Sequence, residues 1–89
     1  MVTAILNHKV NDYAQWRPYF DADVARRRGF GITGEKVLKS VDEPNHLYIK
    51  FEANDPSAID KLLNDPDLAG KMQEAGVVSK PEFILLEEA

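Results

Sequence analysis

Between Val2 and Val10 the chain alternates without a break. Val2, Ala4, Leu6, His8 and Val10 share one face, and Thr3, Ile5, Asn7 and Lys9 share the other. A two-residue period marks a half-buried strand. A slip of one residue would exchange the two faces, so the register is strongly specified. The first set is the more apolar, which assigns it to the side covered by helices. His8 is then a lone imidazole on an otherwise aliphatic face.

The rest of the chain supplies the cover. A helix is expected from about Tyr13 to Arg28, capped by Asp12 with Gln15 three residues on. Tyr13, Trp16, Phe20, Val24 and Arg27 recur every three or four residues, so four apolar groups form one stripe. Pro18 removes a helical hydrogen bond and predicts a kink, or a new helix starting there. Gly29 is read as the helix end, with Arg26, Arg27 and Arg28 complementing its C-terminal dipole on a solvated surface or, in the other reading, binding an anionic ligand or guarding a pocket mouth. Residues 29–34 read as a flexible loop, 35–40 as a strand, 41–45 as a hairpin loop and 46–52 as a strand with Leu47, Ile49 and Phe51 on one face. Asn54-Asp55-Pro56 and Asn64-Asp65-Pro66 each place Asp at a cap and Pro at the first helical position. They open two short helices, about 56–63 and 66–75, with Ile59, Leu62, Leu63, Leu68, Met72 and Ala75 inward. Gly76 ends the second helix, and 82–87 is the last strand.

The order β-α-β-β-α-β in 89 residues gives a single α+β domain spanning 1–89, the ferredoxin-like arrangement. Its four-stranded antiparallel sheet carries helices on one face. The bare face, with Thr3, Ile5, Asn7, His46 and Tyr48, is where a second copy is expected to pack, making a homodimer.

Eleven basic against fifteen acidic residues leave a net charge of −4, which argues against nucleic-acid binding. No cysteine is present, which removes thiolate chemistry and cysteine-ligated metal or iron–sulfur centres. The two histidines lie on opposite faces, and no His/carboxylate spacing fits a metal. Gly29-x-Gly31-x-x-Gly34 follows a helix and precedes a strand, the reverse of the dinucleotide-binding context. No cofactor is therefore expected. Nothing reads as a leader or a membrane span, and the expected location is cytoplasmic.

The run from His8 through Lys9-Val10-Asn11-Asp12-Tyr13-Ala14-Gln15 to Trp16, with Phe20, and the stretch Met72 to Val78 with Pro81-Glu82 resemble the dimeric α/β-barrel superfamily. That group includes antibiotic-biosynthesis monooxygenase-like domains, cyclase-like proteins, haem-degrading enzymes and stress-responsive barrel proteins. The resemblance covers the whole chain and comes nearest to short bacterial cyclase-like members and members of unknown function. It implies two sheets packed face to face into a barrel, with a small-molecule pocket between sheet and helices in each subunit. Its cofactor-independent oxygenases use Asn, Trp, Tyr and His around a polycyclic phenol. Here Asn7, His8, Trp16 and Tyr48 match by type, and His8 and Trp16 also by position. The haem-degrading branch carries a ligating His on its later helical segment; residues 56–75 contain none.

His8 is therefore the candidate general base, with a structural histidine bonded near the first helix, at Asp12, as the other reading. Trp16, Phe20 and Met72 are candidate walls for an aromatic ligand, and are equally read as core. Asn7 and Tyr48 are candidate ligand contacts on the opposite sheet face, where they also fit a subunit interface. Two functions follow: an acid–base enzyme of monooxygenase or cyclase type acting on an aromatic or polyketide-like molecule, or a non-catalytic ligand-binding or stress-responsive barrel protein.

Overall fold

The computed structural model describes residues 2–89. Along the chain run β1 (Val2–Lys9), α1 (Tyr13–Ala22), α2 (Val24–Phe30), β2 (Ile32–Lys39), β3 (His46–Ala53), α3 (Pro56–Leu63), α4 (Pro66–Glu74) and β4 (Glu82–Leu86). The strands form one antiparallel sheet in the order β2-β3-β1-β4. This is the ferredoxin-like α+β fold. The sheet is not closed within the chain: β2 and β4 are its edges.

The expected register of β1 is found. Its pairs Ala4–Phe51, Leu6–Ile49 and His8–Leu47 share the helix-covered face; Ile5–Lys50 and Asn7–Tyr48 share the open one. Buried on the covered side are Ala4, Leu6, Leu47, Ile49 and Phe51, with Trp16 from α1 and Ala58, Ile59 and Leu62 from α3. Two of the helix starts follow the Asp-Pro logic. The carboxylates of Asp55 and Asp65 accept from the N–H groups of Ser57 and Asp67.

Three expectations are corrected. The first long helix breaks at Asp23, not at Pro18, which sits inside α1. Proline costs one hydrogen bond on the exposed side and the helix tolerates it. At Asp23 the backbone leaves helical geometry and its N–H turns to the carbonyl of Phe20. The turn rotates α2, so Val24 faces outward, while Arg27 keeps its place on the inner stripe. The second correction is the helix end. Gly29 lies within α2, and the left-handed residue is Gly31, at φ 98°. A side chain there would be strained, which glycine avoids. The supposed loop 29–34 is thus mostly regular, and β2 starts at Ile32, which is fully buried. Third, the arginine run is not a solvated end. Arg27 is 4% exposed and Arg26 is half-buried.

The start of α1, where the chain leaves His8, is fixed from two directions. The Asn45 side chain accepts from the N–H of Tyr13 (2.9 Å) and donates to the carbonyl of Asn11 (3.2 Å). The Asn11 N–H donates to the carbonyl of Gly76 (2.8 Å). β4 is different in kind. Phe83 and Leu85 point to the helix side and Ile84 and Leu86 to the open side, yet all four are 42–56% exposed.

Candidate functional site

The period-2 pattern of β1 delivers His8 to the helix side, 2% exposed and paired with Leu47. α1 crosses above it. The indole of Trp16 meets the imidazole edge-on, with ring centroids 5.7 Å apart and an interplanar angle of 69°. Phe20, one helical turn on, stacks on the indole at 4.9 Å. The row continues to the Arg27 guanidinium, 3.9 Å from the centre of the Phe20 ring. His8, Trp16, Phe20 and Arg27 thus form one continuous stack along the sheet.

The stack floors a half-open cleft of about 560 Å³, counting the part open to solvent at its mouth. α4 contributes Leu68, Lys71, Met72 and Ala75 to the other side. The lining is mostly apolar and aromatic, as in small-molecule sites. One face of Trp16 is already covered by Phe20, so a ligand would meet the other face or an edge. The indole is both core and wall.

The electrostatics of His8 follow from its burial. Loss of solvent pushes its pKa down to about 4. Its own backbone partly opposes that shift, without meeting the geometry of a hydrogen bond to Nδ1, and His46 adds to it. Nδ1 is sealed from solvent and has no hydrogen-bond partner. The pairing with Asp12 is not formed: that carboxylate accepts from the N–H of Ala14 at 3.0 Å and caps α1. At neutral pH the imidazole is therefore uncharged and holds an unused hydrogen-bonding position, which is costly in a buried group.

At the far end of the cleft, Arg27 donates to the carbonyl of Phe20 (2.8 Å) and to Glu35 (3.0 Å), while its Nε has no partner. Arg28 donates to the same carboxylate (2.8 Å). Burial pushes the Glu35 pKa up, but the hydrogen bonds from Arg28 and Arg27 hold it below the usual carboxylate range. Arg26 donates from Nε to both Asp23 oxygens (3.0 and 3.1 Å) and also contacts Asp65, tying α2 to the start of α4.

His8, Trp16, Phe20 and Met72 are thus brought together, whereas Asn7 and Tyr48 are not in this cleft. They lie beneath the sheet with His46. The His46 imidazole Nε2 is 3.2 Å from the Asn7 side-chain oxygen, and its ring stacks on Tyr48 at 4.8 Å. Sequence reasoning weighed Arg27 as an anion contact but missed Glu35 and Lys71. The helical period already places Arg27 on the inner stripe; the break at Asp23, which that period does not announce, turns Val24 outward. Among the described residues, no cluster of His, Asp and Glu could hold a metal ion, and no helix is long and apolar enough to cross a membrane.

No family model and no curated protein matches the sequence. Solved structures do share the fold. A crystal structure described as an antibiotic biosynthesis monooxygenase superposes with a TM-score of 0.73 at 15% identity, covering 100% of this chain and 99% of that one. SnoaB from Streptomyces nogalater, a cofactor-independent oxygenase, gives 0.67 at 20% identity, with 99% and 92% covered. A dimeric ferredoxin-like protein from an uncultured marine organism gives 0.64 at 11% identity, with 96% and 92% covered. The chain has the fold of antibiotic-biosynthesis-monooxygenase-like domains over essentially its whole length.

Proposed function

We propose that this protein binds a small aromatic or polyketide-like molecule between sheet and helices and acts on it by acid–base chemistry of the cofactor-independent oxygenase or cyclase type. The observation that carries the reading is the neutral, unpartnered imidazole of His8 on the wall of an aromatic cleft. A ligand hydroxyl that reached the imidazole, whose Nδ1 is sealed in the unliganded protein, would complete its hydrogen bonding. His8 would take the hydroxyl proton, and the resulting anion would cyclise, isomerise or react with oxygen. The fold shared with SnoaB supports the same reading.

Magnitudes limit the substrate. An ordinary phenol has a pKa near ~10, and His8 lies at about 4. Proton transfer between them is uphill by about 8 kcal/mol unless the ion pair that forms is itself stabilised. The substrate must therefore be an acidic hydroxyl, such as one on a fused ring conjugated to a carbonyl. The same low pKa favours a second reading, in which His8 is only a hydrogen-bonding partner and the protein a non-catalytic binding module.

Absorption spectra separate the two. A polycyclic phenol with a pKa just above 7 gives up its proton to His8 only if the cleft stabilises the ion pair by about 4 kcal/mol; on the acid–base reading it should show the red-shifted phenolate band when bound to wild type. In His8→Asn it should stay neutral, because Asn keeps a donor and an acceptor but cannot take the proton. A ligand that stays neutral in wild type too would end the acid–base reading and leave the binding module.

A homodimer through the open sheet face belongs to this proposal. Ile5, Leu38, Tyr48, Ile84 and Leu86 lie on that face, and β4 is exposed on both sides. Exposed apolar patches of this kind mark interaction surfaces. Light scattering at micromolar concentration should give twice the 10.0 kDa chain mass. A monomer that persists at that concentration would remove the two-sheet barrel.

A further inference from the structure

The charge around Arg27 does not balance. A brace between α2 and β2 needs one guanidinium and one carboxylate. Here two guanidinium groups, Arg27 and Arg28, share the single carboxylate of Glu35. One positive charge is left over, and Arg27, the buried member, lines the cleft. Its Nε–H has no partner among the described residues, though it is sealed from solvent in the unliganded protein. Lys71 of α4 lines the same cleft, and among the described residues no ion pair engages its ammonium.

The neighbouring cluster has the opposite balance. Arg26 alone serves Asp23, Asp65 and, at 3.9 Å, Asp67, and it occupies both oxygens of Asp23, the one acidic residue on the cleft wall. The cleft is thus polarised, with its uncompensated positive groups at Arg27 and Lys71 and its neutral imidazole at the other end of the aromatic stack.

We propose that the ligand of this cleft is an anionic aromatic molecule, a carboxylate or ionised hydroxyl on a flat ring system, whose charged oxygens are received by Arg27 and Lys71 while the ring lies along Trp16 and Phe20. The inference rests on the cleft being the ligand site and adds the charge of the ligand to it. Arg27 then acts as a specificity-determining residue. Its guanidinium is held in place by Phe20 and Glu35 before the ligand arrives, so little side-chain freedom is lost on binding.

Trp16 is the chain's one tryptophan, so quenching of its fluorescence reports on the cleft directly. The probes are 2-naphthoate, ionised at pH 7, and 2-naphthamide, nearly the same shape without charge. Wild type should bind naphthoate about 10- to 100-fold more tightly, the range for hydrogen bonds to a charged group. The preference should weaken with salt. It should collapse in Arg27→Met and shrink in Lys71→Met, while naphthamide affinity stays within about threefold. Lys71 is exposed, so its variant keeps the test alive if Arg27→Met fails to fold. Equal binding of both probes to wild type would overturn the inference and leave the aromatic cleft standing. So would a preference for naphthoate unchanged in both variants. Binding of neither probe at millimolar concentration would overturn the cleft reading itself, and this inference with it.

Discussion

Replacing Trp16 with alanine should cost about 3–5 kcal/mol of stability, the range for deleting a large buried ring. The indole is 3% exposed and touches three other rings, at 4.9 Å (Phe20), 5.7 Å (His8) and 6.1 Å (Tyr13). Deletion removes those contacts and leaves a void whose walls are held by the sheet on one side and by α1 on the other. Small domains have roughly 5–15 kcal/mol in total, so the variant should be measured by urea unfolding at low temperature. A loss below ~1 kcal/mol, typical of surface positions, would place the ring outside the core and remove it from the cleft wall.

Acidification should cost about as much through one residue. The His8 pKa falls from 6.5 to about 4 on folding. Between these values the unfolded chain binds a proton that the folded chain refuses, so stability rises with pH across this window and is lost as pH falls through it. The difference amounts to about 3 kcal/mol, fully present above pH 6.5 and gone below pH 4. Glu35 and Asp65, whose pKa values are lowered from 4.5 and 3.8, lose their contributions from those values downward, so their windows meet the His8 window only at its lower end. Urea unfolding of wild type and His8→Asn at pH 7, 6, 5 and 4.5 would isolate the effect. Wild type should fall steadily relative to the variant. Parallel profiles would mean that His8 is not held neutral by burial.

Both predictions rest on parts of the structure that the sequence expresses well. The alternation of β1 names the covered face, and Trp16 and Phe20 lie on that side because their helical spacing is intact up to Asp23. The paired Asp-Pro motifs mark α3 and α4 for the same reason: a cap is local chemistry. What was illegible is non-local. Asp23 is no helix breaker by propensity, whereas Pro18 is, so a sequence-based reading puts the break five residues early. Three consecutive arginines at a helix end read as a complement to the dipole. That Arg27 can be buried depends on Glu35, which stands on the covered face of β2. The alternation of that strand is blurred by Gly31, Gly34 and a bulge between Ile32 and Gly34. Without that register, the shared carboxylate and the excess charge beside the cleft leave no trace in any periodicity.

The two sides of the cleft differ in how firmly they are built. β1, which carries His8, is bonded along its length to β3 and β4, and beyond β4 to the segment at Val77–Ser79 through Val78 N–H to Lys9 carbonyl and Lys9 N–H to the Ser79 hydroxyl. α4, the facing wall, has no fully buried residue. Local opening follows such gradients of packing, so amide hydrogens of β1 should be released only when the whole domain unfolds, and those of α4 by a smaller, cheaper excursion. A guest would then enter by displacing the roof, while the imidazole on the floor keeps its position throughout. Slow exchange would record the site, and fast exchange the door.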